Sequence, residues 1–312
     1  MSTKVFSGTD AAVLLGIPGL TAISWGIPEH FWPKICHRLG PIAIPTITDD
    51  PHSVLQLIHQ TLGNHQITES PEAILTQVAG EQILSRLQLL KDYFPGGWQP
   101  QLQLIGSEHI DTALENGHGV ILWLGYFVFC DLVPKIAFHR AGLAVHHLSS
   151  AYHGFSSTRF GTRYLNRIQT RIEDRYLAER VVLSPENPTQ AMLTLAYRLR
   201  NNQVISITAH KNAKKPLKVK FLDGYLYLAP GAPLLAQKTK AALLPVLPLR
   251  NQAGELTVTV EAPLQISADI PEAKVTENLA QQYARLLEPY VLQFPGQWLG
   301  WNHCSGATRL KL

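Results

Sequence analysis

Val120-Ile121-Leu122-Trp123-Leu124-Gly125 runs directly into Tyr126-Phe127-Val128-Phe129-Cys130-Asp131. An unbroken apolar run of this length, closed by glycine, predicts a strand buried on both faces, the kind found in parallel sheets. Its end hands a tyrosine to the carboxyl edge, where α/β proteins place their chemistry. Asp131 follows five positions later, as the chain turns into a helix.

Outward from that strand the pattern alternates. Residues 52–62 and 71–94 read as helices, with Ile74, Val78, Leu84, Leu87 and Leu90 at approximately helical spacing. Pro95-Gly96-Gly97 breaks the chain. A strand at Leu102–Ile105 leads to a helix that Ser107 is placed to cap. A helix to about Arg140 and a strand at Leu143–Leu148 follow the quoted stretch. Asn187-Pro188-Thr189-Gln190 is a helix start, with a capping side chain, Pro at the first position and Gln three after the cap. Val204–Thr208 reads as the next strand, Leu243–Leu249 and Leu256–Val260 as a joined pair. Leu279, Tyr283, Leu286, Leu287, Tyr290, Val291 and Phe294 share one face of a last helix. The expectation is an α/β fold: a mixed, mostly parallel sheet flanked by helices, with a helical N-terminal segment. Residues 1–95 are expected to form that helical region and 96–312 the α/β domain.

The 312 residues suffice for a sizeable core, and 46% hydrophobic against 16% charged residues describes an apolar, lightly charged globular chain. Cys36, Cys130 and Cys304 are far apart and odd in number, which excludes a disulfide framework and suits a reducing compartment. A net charge of +4 with no recognition module gives nucleic acid no support as a partner. Ala11 to Pro28 lacks charge but holds Pro18 and several small polar residues. A span takes about 20 mostly apolar residues. Followed by Phe31-Trp32-Pro33-Lys34 and His37-Arg38, the segment is expected to touch a membrane surface rather than cross it.

Four blocks in order resemble the lipid A biosynthesis acyltransferase family, from about residue 100 onward. They are Gly106-Ser107-Glu108-His109-Ile110, and Gly117-His118-Gly119-Val120-Ile121-Leu122 with the strand and acid after it. Then come Phe221-Leu222-Asp223-Gly224 with Ala229 to Ala236 and Ala241 to Pro245, and finally Phe294-Pro295-Gly296-Gln297-Trp298-Leu299-Gly300-Trp301-Asn302-His303. The resemblance implies a glycerolipid-acyltransferase-like fold. It also implies transfer of a fatty acyl group from acyl carrier protein or acyl-CoA to a lipid, glycolipid or small hydroxyl or amine acceptor, with no cofactor. The implied place is the cytoplasmic face of the inner membrane.

That family carries a His-x4-Asp/Glu pair, the His taking the acceptor's proton and the acid fixing its tautomer. Here Tyr126 stands at the His position and Asp131 at the acid, while Ala209-His210 stands where the family tends to carry Asp-Gln. A phenol with a pKa near 10 is a poor base at neutral pH. Tyr126 is instead suited to bind the acceptor or donate to a developing oxyanion. His210, at the end of a neighbouring strand, is the imidazole available to replace the missing one, with Asp131 orienting it. The alternative is a homologue that has lost catalysis and binds acyl chains or a partner enzyme.

Arg159, Arg163, Arg167, Arg171 and Arg175 recur every four residues, a stripe drifting about 40° per step round a helix. It reads either as a solvated face paired to Glu173, Asp174 and Glu179 or as an anion surface. Arg159, Arg163 and Ser156 fall in a region that is polar and Arg-bearing in the family, and are candidate substrate contacts. Gly231, in the third block, is another. Lys211, Lys214, Lys215, Lys218 and Lys220 read as a loop-like basic cluster for anionic groups. His146, His147 and His153 have no carboxylate or Cys at ligand spacing, so no metal is expected.

Overall fold

Strands that are apolar on both faces need cover on both sides, and the helices supply it. The computed structural model describes residues 4–48, 50–65, 67–210, 213–267 and 269–306. The helices α1 (Gly8–Gly26), α2 (Trp32–Ile47), α3 (Pro51–Leu62) and α4 (Pro71–Asp92) precede the first strand. Next come β1 (Leu102–Ile105), α5 (Glu108–Glu115), β2 (Val120–Leu124), α6 (Val133–Arg140) and β3 (Val145–Ser150). These lead to α7 (Asn166–Asp174), β4 (Glu179–Leu183), α8 (Pro188–Arg200) and β5 (Val204–Thr208). The chain continues through β6 (Leu217–Phe221), β7 (Gly224–Leu228), α9 (Gly231–Thr239), β8 (Ala242–Arg250) and β9 (Leu256–Val260). It closes with α10 (Glu272–Gln293) and β10 (Cys304–Gly306).

Among the described residues, seven strands form one sheet in the order β1-β9-β8-β2-β5-β3-β4. β8, β2, β5, β3 and β4 run parallel, while β9 is antiparallel to β8 and carries β1 beside it. This is the mixed, mostly parallel α/β sheet expected. β6, β7 and β10 make a small antiparallel sheet. Alternation along β2 splits the core in two. Ile121 and Trp123 join residues of α3, α8, α9 and α10, whereas Val120, Leu122 and Leu124 join α5, α6 and α7. Helix α4 serves both sides, Ile74, Leu75 and Val78 on the first and Leu84, Leu87 and Leu89 on the second. The N-terminal helices therefore share the sheet's core.

Two local expectations differ in outcome. Asn187 caps α8, its Oδ1 accepting from Gln190 N at 3.3 Å. Ser107 makes no side-chain cap, because its own backbone is already helical (φ −59°, ψ −27°). Helix α1 lies on α4, Ser24 Oγ donating to Leu87 O and Trp25 Nε1 to Leu90 O, both at 2.9 Å. No helix among the described residues is long and apolar enough to cross a membrane.

Candidate active site at the carboxyl edge of the sheet

Strand β2 enters between β8 and β5 through Gly119, whose φ of +73° and close backbone neighbours exclude a side chain: a Cβ there would lie 2.8 Å from both Gln203 O and Leu199 O. At the other end, Gly125 N donates to Val246 O at 2.7 Å and Ala209 N to Leu124 O at 2.8 Å, so β2 and β5 finish together. Each then releases one polar residue, Tyr126 and His210. The phenol ring lies 4.5 Å from the His210 ring and is stacked 5.1 Å from His303, whose own ring is 4.9 Å from His210.

The turn carrying Tyr126 is gripped from the far end of the chain. Leu299 N donates to Tyr126 O at 2.9 Å, Val128 N to Gln297 O at 2.8 Å, and Phe127 bridges to Trp298. Gln297 in turn bonds Arg250 through both ends of its amide. Below the phenol is a cavity of about 10 Å³ lined by Leu226, Leu228, Tyr283, Leu287 and Trp298. Tyr126 and His303 close its upper side, and its apolar floor holds Tyr283, whose buried hydroxyl has no hydrogen-bond partner among the described residues. Burial pushes the Tyr126 phenol well above its ordinary range, and nearby Cys130 and Asp131 add to this against the opposing pull of Arg86. The group stays protonated, a donor and not a base. Burial likewise raises the Cys130 thiol, which removes it as a nucleophile.

Asp131 belongs to a second cluster. Its Oδ2 accepts from Gln169 Nε2 at 3.2 Å, and a carboxylate oxygen lies within 4.8 Å of the His153 and Glu173 ligand atoms. Glu173 is fully buried and meets His153 Nε2 at 2.8 and 3.0 Å, Lys135 Nζ at 3.2 Å and Arg180 at 3.0 Å. The carboxyl is held well below its usual range: burial opposes ionisation, and Lys135, His153 and Arg180 outweigh it. Asp131, His153 and Glu173 have the donor chemistry of a metal site. The protein's own ammonium and guanidinium already neutralise Glu173, so the residues do not fit a cation.

A profile of the bacterial lipid A biosynthesis acyltransferases matches residues 3–303. The chain belongs to that acyltransferase family. No curated protein matches it.

Against the resemblance to the lipid A acyltransferases, the structure brings Tyr126 and His210 together but does not pair His210 with Asp131. The turn after β2 carries Asp131 to α7 and the end of β3 instead. Ser156, expected at the substrate, is buried: its hydroxyl bonds Thr158 Oγ1 at 3.3 Å, and Thr158 holds both oxygens of buried Asp10 at 2.9 Å. Gly231 opens α9, close to the point where Ala229 N donates to His210 O. Lys211 lies outside the described residues. Lys218 and Lys220 are not in a loop; they alternate with buried Val219 and Phe221 on β6.

Arg159, Arg163, Arg167 and Arg171 are exposed and form no ion pair with another described residue, while Arg175 pairs with Asp92. The acids expected to neutralise them are engaged elsewhere, Glu173 as above, Asp174 with Arg180 and Glu179 with Arg198 and His146. A wide π turn at Gly161–Leu165 interrupts the helix and counteracts the drift of the stripe. Nothing in the spacing of Lys135, Gln169, Glu173 and Arg180 marks them in the sequence as site residues. The terminal Phe294–His303 block was a signal, and its histidine does reach Tyr126.

Proposed function

We propose that this protein transfers a fatty acyl group from an acyl carrier protein or CoA thioester to a hydroxyl or amine of a lipid or glycolipid, at the cytoplasmic face of the membrane. The reading is carried by one observation: a phenol kept protonated by burial stands at the carboxyl edge of the central strand, above an apolar wall. In this reading the acyl chain lies along Leu226, Leu228, Leu287 and Trp298, widening the small cavity as it enters. Tyr126 donates to the thioester oxygen as it becomes an oxyanion, and His210 and His303 clasp the phenol ring and aim it. The exposed guanidiniums of Arg159 and Arg163 receive the phosphates of the acceptor or the donor.

Purified protein incubated with lauroyl-acyl carrier protein or lauroyl-CoA and a lipid extract, followed by mass spectrometry, tests the reading. Tyr126→Phe keeps the ring and loses the donor, so the rate of transfer falls on the order of 10²-fold with the fold intact. Transfer by Tyr126→His but none by the parent overturns native activity. Lauroyl binding without transfer by either identifies a homologue that only binds.

A further inference from the structure

We propose that His153, held by Glu173, is the general base of this transfer in place of His210. The proposal rests on the acyl-transfer reading and deepens it. Strands β2, β5 and β3 are parallel neighbours that end at one edge, and the loop after β3 supplies His153. Arg86 Nη1 donates to Gln169 Oε1 at 2.7 Å, which fixes the amide with its nitrogen toward the acids. The two hydrogens of that nitrogen go to Glu173 Oε1 at 2.7 Å and Asp131 Oδ2 at 3.2 Å. Gln169 Nε2 also lies 3.1 Å from His153 Nε2, but it has no hydrogen left to give. The imidazole Nε2 therefore carries its own proton and donates it to Glu173. That leaves Nδ1 with its lone pair, and Nδ1 makes no hydrogen bond to another described residue. The side chain keeps 18% of its surface exposed, so the ring is not sealed. A buried acid that fixes the tautomer of a partly open imidazole is the arrangement a base requires.

The groups facing the ring are Asp131 after β2, Lys135 on α6, Glu173 on α7, Arg180 on β4 and His147 on β3. Burial alone would lower the imidazole's pKa; Glu173 and Asp131 outweigh it and raise the group above 6.5. In the reaction Nδ1 takes the proton of the acceptor's hydroxyl as that oxygen attacks the thioester carbon. The carbon–sulfur bond breaks, the thiolate leaves, and the imidazolium returns the same proton to the sulfur. The products are an ester and a free thiol.

The test uses the full chain with lauroyl-CoA and a lipid extract, comparing parent, His153→Gln and His210→Gln across pH. Thiol release and acylated lipid are both measured. His153→Gln is expected to lower kcat about 10²-fold or more, with little change in KM, and to abolish the acidic limb of the parent's pH profile. His210→Gln lowers the rate and leaves that limb in place. Nitrogen NMR of the ring should place the proton of the neutral form on Nε2. An unchanged limb in His153→Gln, or a proton on Nδ1, overturns the assignment. A parent that transfers nothing overturns the acyl-transfer reading itself, while the ring spectrum still decides whether the dyad exists.

Discussion

Four side chains converge on Glu173: His153, Lys135, Arg180 and Gln169. Lys135 is itself buried, so neutralising the acid would leave an ammonium without compensation in the interior. Glu173→Gln should therefore cost about 3–5 kcal/mol in urea unfolding; a loss below about 1 kcal/mol would mean the network contributes little. The same group governs acid stability. Its folded pKa is depressed, so its contribution is complete above the unfolded value of about 4.5 and is lost as pH falls toward the folded one. His153 acts in the opposite sense. Its raised pKa stabilises fully below about 6.5, and that share disappears as pH rises through the folded value. Unfolding midpoints should be flat between these limits and decline on both sides. This cluster could not be read from the sequence. Asp131 and His153 come from two separate loops and Glu173 from α7, and only the packing of α7 against the edge brings them into contact. Tyr126 beside His210 was legible, because adjacent parallel strands ending together must put their next residues side by side.

Elements were read where local chemistry decides them. Strand β2 is apolar because it is buried on both faces, and the Asn187 start of α8 is a side-chain cap that needs no tertiary help. Ser107 misled because a capping residue works only when its own backbone is extended. Nor could sequence anticipate the clasp that joins α1 to the loop before α7. Asp10 both caps α1, with Ser7, and accepts from Thr158, while Gly161 leaves room for Ser156, whose Cβ would lie 2.4 Å from a side chain there. Burial resists the ionisation of Asp10, but bonds from Ser156, Thr158 and Ser7 hold its carboxyl low. Asp10→Ala should lower stability by roughly 1–3 kcal/mol and open the segment from α1 to Thr158 to limited proteolysis. An unchanged digestion pattern would show that the clasp is not what holds the helix.

On the scale of the molecule, the exposed arginines and the apolar residues just before α1 share one region. Phe6 packs edge-on against Phe160 at 5.2 Å and Arg159 N donates to Lys4 O, which sets exposed Lys4, Val5 and Phe6 beside the start of the basic stripe. A surface of this kind suits anionic lipid, and its electrostatic part must weaken with salt. Replacing Arg159, Arg163, Arg167 and Arg171 with alanine should weaken binding to phosphatidylglycerol vesicles by about fivefold per arginine. Binding to vesicles without anionic lipid should barely change. Equal binding of parent and variant to both would take this surface out of membrane contact.

The grip of residues 297–299 on the Tyr126 turn bears on how the molecule is made. Strands β2, β5 and β8 leave the ribosome well before that segment, and nearby contacts form ahead of distant ones. A chain halted before residue 295 would hold the whole seven-stranded sheet and still leave the Tyr126 turn untied. Completion of the site thus waits for residues 297–299, so a nascent chain that already holds the sheet cannot yet act.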